Sequence, residues 1–152
     1  MISTTIKTTE VAKQVRVELY AKFPKTKFSV KSKFFSGGSS VDIKWENGPA
    51  ESQVRAVVGH FRGADFDGMQ DCMVPNGRLY ANDFIDFNRL ITEEHYMAEA
   101  KWAIGYYHGL ANLSLELDRD NHNLLKFGVW TLRQLAWLTL KDKVLPCTTG
   151  KP

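Results

Sequence analysis

The sequence predicts an α+β protein: a small antiparallel sheet packed with two helices, followed by an antiparallel helical hairpin. Three patterns carry this reading. Apolar residues recur every four positions between Thr9 and Lys22. Two alternating runs flank a glycine-serine stretch between Lys27 and Trp45. The last third carries long apolar helical runs without such alternation.

Val11, Val15 and Leu19 stand one helical turn apart, with Ala12 and Tyr20 widening the stripe, so Thr9 to Lys22 reads as an amphipathic helix. Thr8 or Thr9 is the expected cap, Glu10 suits the first turn, and Pro24 stops the helix. In Lys27 to Lys33, Phe28 and Val30 face one way while Lys27, Ser29, Lys31 and Lys33 face the other. In Val41 to Trp45, Val41, Ile43 and Trp45 share a face opposite Asp42 and Lys44. A period of two means two half-buried antiparallel strands, joined by the flexible turn Ser36-Gly37-Gly38-Ser39-Ser40. Asn47-Gly48-Pro49 turns the chain into a second helix whose core stripe is Val54, Val57, Val58 and Phe61.

The stretch RGADFDGMQDCMVP, Arg62 to Pro75, reads as irregular and acid-bearing. After a turn at Pro75-Asn76-Gly77, Asp83 to Arg89 is expected as a third strand with Ile85 and Phe87 facing inward. Two long helices follow, Glu93 to Leu117 and Leu124 to Val144, joined by the polar break Asp118 to Asn121. The second is apolar nearly all round. That predicts burial on more than one side and makes a homodimer through these helices a candidate assembly. Lys126, Arg133 and Gln134 interrupt it, which argues against a membrane span. The expected organisation is an α+β domain over residues 1–91 and a helical hairpin over residues 92–152 packed on it.

With 152 residues, 43% apolar and 24% charged, the chain has the composition of a globular domain, or of a domain with an appendage. A net charge of +3 is only mildly basic, so the placement of charge matters more than its sum. Cys72 and Cys147 are far apart with no CxxC partner, which argues against a disulfide scaffold and a zinc knuckle. MISTTIKTTEVAKQ has no apolar core of signal-peptide length, so the cytoplasm of a bacterial cell is the expected compartment.

Two surfaces are candidates for function. Lys25, Lys27, Lys31 and Lys33 offer cations to phosphate, and Phe34 and Phe35 offer rings to stack on unpaired bases. Against this, outward lysines also keep a half-exposed sheet soluble and discourage edge pairing. The second candidate is the acidic loop with Asp65, Asp67 and Asp71, together with Arg89. Oxygen ligands around Gly68 resemble a calcium loop, but the late glutamate is missing, and Asx turns account for such acids more simply. Gly37-Gly38 lacks the Lys-Ser/Thr of a phosphate loop and lies between two strands, so it is a turn. His95 and Glu99, one helical turn apart, make two ligands without a third. Asp118, Asp120 and His122 read as a loop and a helix cap. Nothing orients Cys72 and His60 for nucleophilic catalysis, so no catalytic residue, metal or cofactor is predicted.

Taken together, FPKTKFSVKSKFFSGGSSVDIKWENGPAESQV and FRGADFDGMQD resemble the large polyvalent protein-associated domain of type twenty-nine. That family carries an FP-x-x-KFSV stretch, a glycine-serine turn, an S-[IV]-x-[IV]-x-W strand, a GP helix start, an F-x-[GS]-x-x-FDGM-x-D loop and often a late [FY]-x-x-NR strand. Here these fall on Phe23-Pro24, Lys27 to Val30, Gly37 to Ser40, Val41 to Trp45, Gly48-Pro49, Phe61 to Asp71 and Phe84 to Arg89. The late strand departs somewhat, reading FIDFNR. The resemblance covers about residues 9–91 and leaves the helices from Glu93 onward outside it.

The resemblance implies a setting among plasmids, integrative elements and phages, and it implies no enzyme activity. The leading expectation is a non-enzymatic binder that blocks a host defence nucleoprotein complex, as an anti-CRISPR protein does. Such a protein needs only a rigid surface with aromatic and charged anchors. The alternative is a nucleic-acid-binding accessory of DNA transfer using the lysine face. A metal-dependent hydrolase using the acidic loop ranks last.

Overall fold

The computed structural model describes residues 5–107, 109–110 and 112–146. The chain divides into two compact units, one ending at Leu90 and one spanning Ile91–Pro146. The α+β class holds, and several details differ from expectation.

The first unit runs α1 (Thr8–Lys22), β1 (Phe28–Phe35), β2 (Gly38–Glu46), α2 (Glu51–Val58), β3 (Ala64–Asp67), β4 (Cys72–Pro75) and β5 (Phe84–Leu90). The stripe Val11, Val15 and Leu19 is fully buried. It packs with Phe28, Val30, Val41, Ile43, Trp45, Val54, Val58 and Phe61, so both helices cover the apolar face of the sheet. Tyr20, expected in the stripe, is exposed instead, because it lies one position past Leu19 on the helix surface. Neither threonine caps α1. Lys7 occupies the cap position, and the Thr8 hydroxyl bonds Ser39 Oγ at 2.7 Å. The Thr8 side chain thus bonds to β2 rather than to the helix terminus.

Hairpin β1–β2 pairs Phe28 with Trp45 through Phe35 with Gly38. The turn is therefore only Ser36-Gly37, with Gly37 at φ +90°, and Gly38 to Ser40 belong to β2. The third strand is parallel to β2, not antiparallel, pairing Ser40 with Phe84 through Glu46 with Leu90. The long connection through α2 and residues 59–83 makes this possible, since it carries the chain back to its starting end. The sheet order is β1-β2-β5. At its β1 edge, Arg16 donates from Nη2 to Val30 O at 2.8 Å, so a helix side chain occupies a carbonyl near that edge.

Arg62 to Pro75 is not irregular. It holds a second, two-stranded ribbon in which Ala64 pairs with Pro75 and Asp67 with Cys72. Each strand has four residues and little burial, so no alternation announces it. Asn82, fully buried, donates to Phe61 O at 2.7 Å and to Phe84 O at 3.2 Å, tying the ribbon's approach to the start of β5. Pro49 O accepts the Trp45 indole N–H at 3.0 Å, and Gln53 Oε1 accepts the Ala50 N–H at 3.0 Å at the start of α2.

The second unit holds α3 (Glu93–Tyr106), a 3-10 helix (His122–Phe127) and α4 (Leu132–Leu140). The two long helices expected here are corrected to two short ones with a loop and a 3-10 turn between them. GYYHGLANLS holds two glycines, an asparagine and a serine, too many weak helix formers to extend α3. Gly128 at φ +76° ends the 3-10 helix, and Thr131 opens α4 with a capping box to Gln134. Ala100, Ala103, Leu110, Leu117, Leu124, Val129, Leu132 and Leu135 form one core, and Ile91, Ala136, Leu140 and Leu145 a smaller one. Burial of α4 on several sides is also corrected: Trp137 and Leu138 are exposed.

Arg133 links this unit together. Its guanidinium donates to both Glu93 carboxylate oxygens at 2.6 and 3.0 Å and to both Asp118 oxygens at 2.7 and 3.0 Å, and it lies 5.0 Å over the Tyr96 ring. The hydrogen bonds from Arg133 hold the Asp118 carboxyl below the usual carboxylate range, against a smaller opposing effect of burial. The same bonds, first to Asp118 and then to Glu93, raise the guanidinium further above its ordinary value. Lys143 pairs with Glu99 at 3.2 Å. Among the described residues, no helix is long and apolar enough to cross a membrane.

Candidate interaction surface

With α1 and α2 on one side of the three-stranded sheet, the period of two leaves Lys31, Lys33, Lys44, Phe35, Phe84 and Asp86 on the other. At one end of this face, near the β1–β2 turn, Phe35 at 48% and Phe84 at 37% stand exposed, while Phe34, 68% exposed at the same end of the sheet, lies on the opposite face by the same alternation. Phe35 and Phe84 lie 6.1 Å apart, centre to centre. At the opposite end is a shallow cleft of about 560 Å³ lined by Lys27, Ser29, Lys44, Glu46, Asn88 and Leu90.

Between these ends lies a charge cluster that the alternation hides. Asp42 is 2% exposed despite pointing away from the helices. Lys33 Nζ reaches its Oδ2 at 3.3 Å and Lys44 Nζ at 3.5 Å, and Asn88 Nδ2 donates to its Oδ1 at 2.7 Å. Of the lysines singled out from sequence, Lys33 is thus ion-paired, sharing the Asp42 carboxylate with Lys44. Lys25, Lys27 and Lys31 are exposed and form no ion pair among the described residues. Phe84 was expected only as part of a strand. Its place in the aromatic group follows from the parallel register, which sequence periodicity does not reveal.

The acids of the ribbon do not converge. Asp65 pairs with Arg62 at 3.0 Å, and Asp67 Oδ1 accepts the Met69 N–H at 2.9 Å in an Asx turn. Asp71 adopts a left-handed backbone with φ +52°. Arg89 is far from this role: its Nε donates to Asn47 O and its Nη2 to Gly48 O, both at 3.0 Å, fixing the turn before α2. Among the described residues no three His, Cys, Asp or Glu side chains cluster as metal ligands would. At the ribbon tip Phe66 and Met69 are exposed, Met69 at 97%.

A family model for large polyvalent protein associated domain 29 matches residues 6–99, more than half of the chain. The chain belongs to that family. The polyvalent protein-associated domain of this chain takes in the sheet, both flanking helices, the ribbon and the first half of α3, so the match extends beyond Leu90. Membership places the chain among domains associated with polyvalent proteins and mobile elements. Comparison with curated proteins and with solved structures finds no match. Within the polyvalent protein-associated domain, the family's sequence signature has structural work to do. KFSV and VDIKW supply paired strand residues, Gly48-Pro49 leads into α2, and FDGM forms the ribbon and its tip.

Proposed function

We propose that this polyvalent protein-associated domain serves its mobile element by binding, and that its target is a host defence nucleoprotein complex, blocked without catalysis as an anti-CRISPR protein would block it. The observation that carries this reading is the exposed pair Phe35 and Phe84 at one end of the sheet, with Phe34 exposed on the other side of the same strand end. Large rings in a patch bordered by charge are the usual energetic centre of a protein interface. Asp42 weighs in the same direction. Its single carboxylate offsets part of the charge of Lys33 and Lys44 and leaves a face of mixed sign, better suited to a protein surface than to a bare phosphate backbone. The work belongs in the cytoplasm of a bacterial host.

The test is expression of the chain in a bacterium whose nucleoprotein defence restricts a phage or plasmid. Restriction should be relieved, and a defence subunit should be recovered with the chain. Phe34→Ser combined with Phe35→Ser should abolish both effects in a protein that still folds. Undiminished restriction, or relief that survives the double change, would sink the proposal.

A second reading rests on Lys25, Lys27 and Lys31, which no carboxylate among the described residues neutralises. In that reading the domain holds transferred DNA. Affinity would then fall steeply with salt, and Lys27→Glu with Lys31→Glu would weaken it for every sequence alike. A gel shift at low salt showing no complex with single- or double-stranded DNA eliminates it.

A further inference from the structure

The three-stranded sheet has two edges, and they are built differently. β1 lies at the first. Exposed Lys31 and Lys33 stand along it, and the Arg16 guanidinium holds the Val30 carbonyl. Such cations keep a strand edge from pairing with another chain. β5, Phe84–Leu90, lies at the second edge and reads FIDFNRL, with no lysine and no proline. Its one cationic side chain, Arg89, is tied to the carbonyls of Asn47 and Gly48. The Leu90 carbonyl accepts the Asn47 N–H at 2.7 Å, so it is turned towards the β2 side. In a parallel ladder alternate residues share that direction, so Ile85, Phe87 and Arg89 turn their main-chain groups outward. Among the described residues, the outward N–H and carbonyl groups of Ile85 and Phe87 form no hydrogen bond.

We propose that β5 pairs antiparallel with β5 of a second copy of this chain, about a two-fold axis through Phe87, joining the two sheets into one. The order of residues in the strand selects this register. An axis at Phe87 brings the whole of Phe84–Leu90 into the pairing. On the open face it sets Phe84 opposite Leu90 and Asp86 opposite Asn88. On the face under the helices it sets Phe87 opposite itself and Ile85 opposite Arg89. Apolar meets apolar, and carboxylate meets amide. An axis one residue earlier would oppose Asp86 to Asp86, and one residue later Asp86 to Leu90, and each leaves the strand ends unpaired. Phe84 and Leu90 are both exposed, Leu90 at 64%, so each gains an apolar neighbour. Charge near the axis does not oppose the approach, because Arg55, 4.6 Å above the Phe87 ring, is paired with Glu51 at 3.0 Å. The pairing consumes both β5 edges and leaves the cationic β1 edges outermost, so association stops at two copies. It also extends the row of Phe35 and Phe84 with Leu90 of the second copy instead of covering it. One strand pair buries less than the roughly 1,200 Å² at which stable interfaces begin, so the dimer depends on concentration.

Sedimentation of the full chain from low to high micromolar concentration tests it, and a monomer–dimer equilibrium is expected. Phe84→Lys combined with Leu90→Lys places like charges opposite each other at both ends of the pairing and should weaken the dimer about tenfold. Phe84→Lys combined with Leu90→Glu faces each new ammonium with a new carboxylate across the axis. It should restore the dimer at low salt and lose that gain at high salt. This rescue depends on the register, and association through another surface would not show it. A monomer at every concentration overturns the proposal, as does a dimer that the two lysines leave intact or that the Lys–Glu pair does not restore. Should Phe84→Lys prevent folding, hydrogen exchange on the parent chain decides. The amides of Ile85 and Phe87 should gain protection as concentration rises, and protection independent of concentration overturns the pairing.

Discussion

Asp42 lies under the ammonium groups of Lys33 and Lys44 and accepts from Asn88, so a carboxylate on the side of the sheet away from the helices is nearly as buried as the core. Removing it leaves Asn88 without its acceptor and two lysines crowded over a gap. Asp42→Ala should therefore cost about 1–3 kcal/mol in urea denaturation, whereas Asp42→Asn, which keeps an acceptor for Asn88, should cost less. Asp42→Asn also frees two cations, so under the DNA reading it should tighten binding and steepen its salt dependence. An unchanged midpoint for Asp42→Ala would show that the cluster contributes nothing. At this scale much was legible. Phe28, Val30, Val41, Ile43 and Trp45 fall in the core as their alternation requires. The burial of Asp42 was not legible, because a period of two assigns a face but not what the neighbours on that face do. Arg89 shows the same limit: its partners are carbonyls more than forty residues earlier in the chain.

At the level of elements, the ribbon depends on a close approach. Gly63 receives Asn82 O at its N–H and gives its carbonyl to the Asn76 N–H, and the Tyr80 carbonyl lies where a β-carbon would stand. Gly63→Ala must push backbone away from backbone, so it should lower stability by about 1–3 kcal/mol and expose the ribbon to proteolysis first. A variant as stable and as protease-resistant as the parent would refute this. In the second unit, the side chain of Thr131 accepts from the Gln134 N–H at 3.2 Å, and Gln134 Oε1 accepts back from the Thr131 N–H at 3.3 Å. Thr131→Ala should cost about 1 kcal/mol by thermal melting, with Thr131→Ser nearly neutral. That cap was readable in the sequence as Thr131-x-x-Gln134 just after Gly128. The dense apolar residues from Leu124 onward mask it, which places the expected helix start too early. The parallel register of β5 was not readable, because alternation is the same in either direction. Only the length of the connection distinguishes the two.

Across the whole molecule, the two units draw their stability from different physics. The first buries one contiguous apolar core between two helices and a sheet, while the second has smaller cores that share Tyr96, with Arg133 tying Glu93 to Asp118. Asp118 titrates lower in the folded chain than it does unfolded, because it accepts hydrogen bonds from Arg133. The sign follows directly. Its contribution is fully present above the unfolded carboxylate value, near about pH 4, and is lost as pH falls through the lowered folded value. Asp118 is largely exposed, so salt should screen the effect. Acid should accordingly loosen the second unit, and high salt should flatten that dependence. Three of the four tryptophans, Trp102, Trp130 and Trp137, lie in this unit, so a Trp45→Phe chain reports on it alone. Fluorescence melts of that chain should shift to lower temperature as pH is taken from neutral to below about 4. The shift should shrink in Asp118→Asn, whose amide does not titrate. An identical pH profile with and without Asp118→Asn would mean that the Arg133 cluster is incidental. The small cores of Leu124, Leu132 and Leu140 would then carry the second unit unaided.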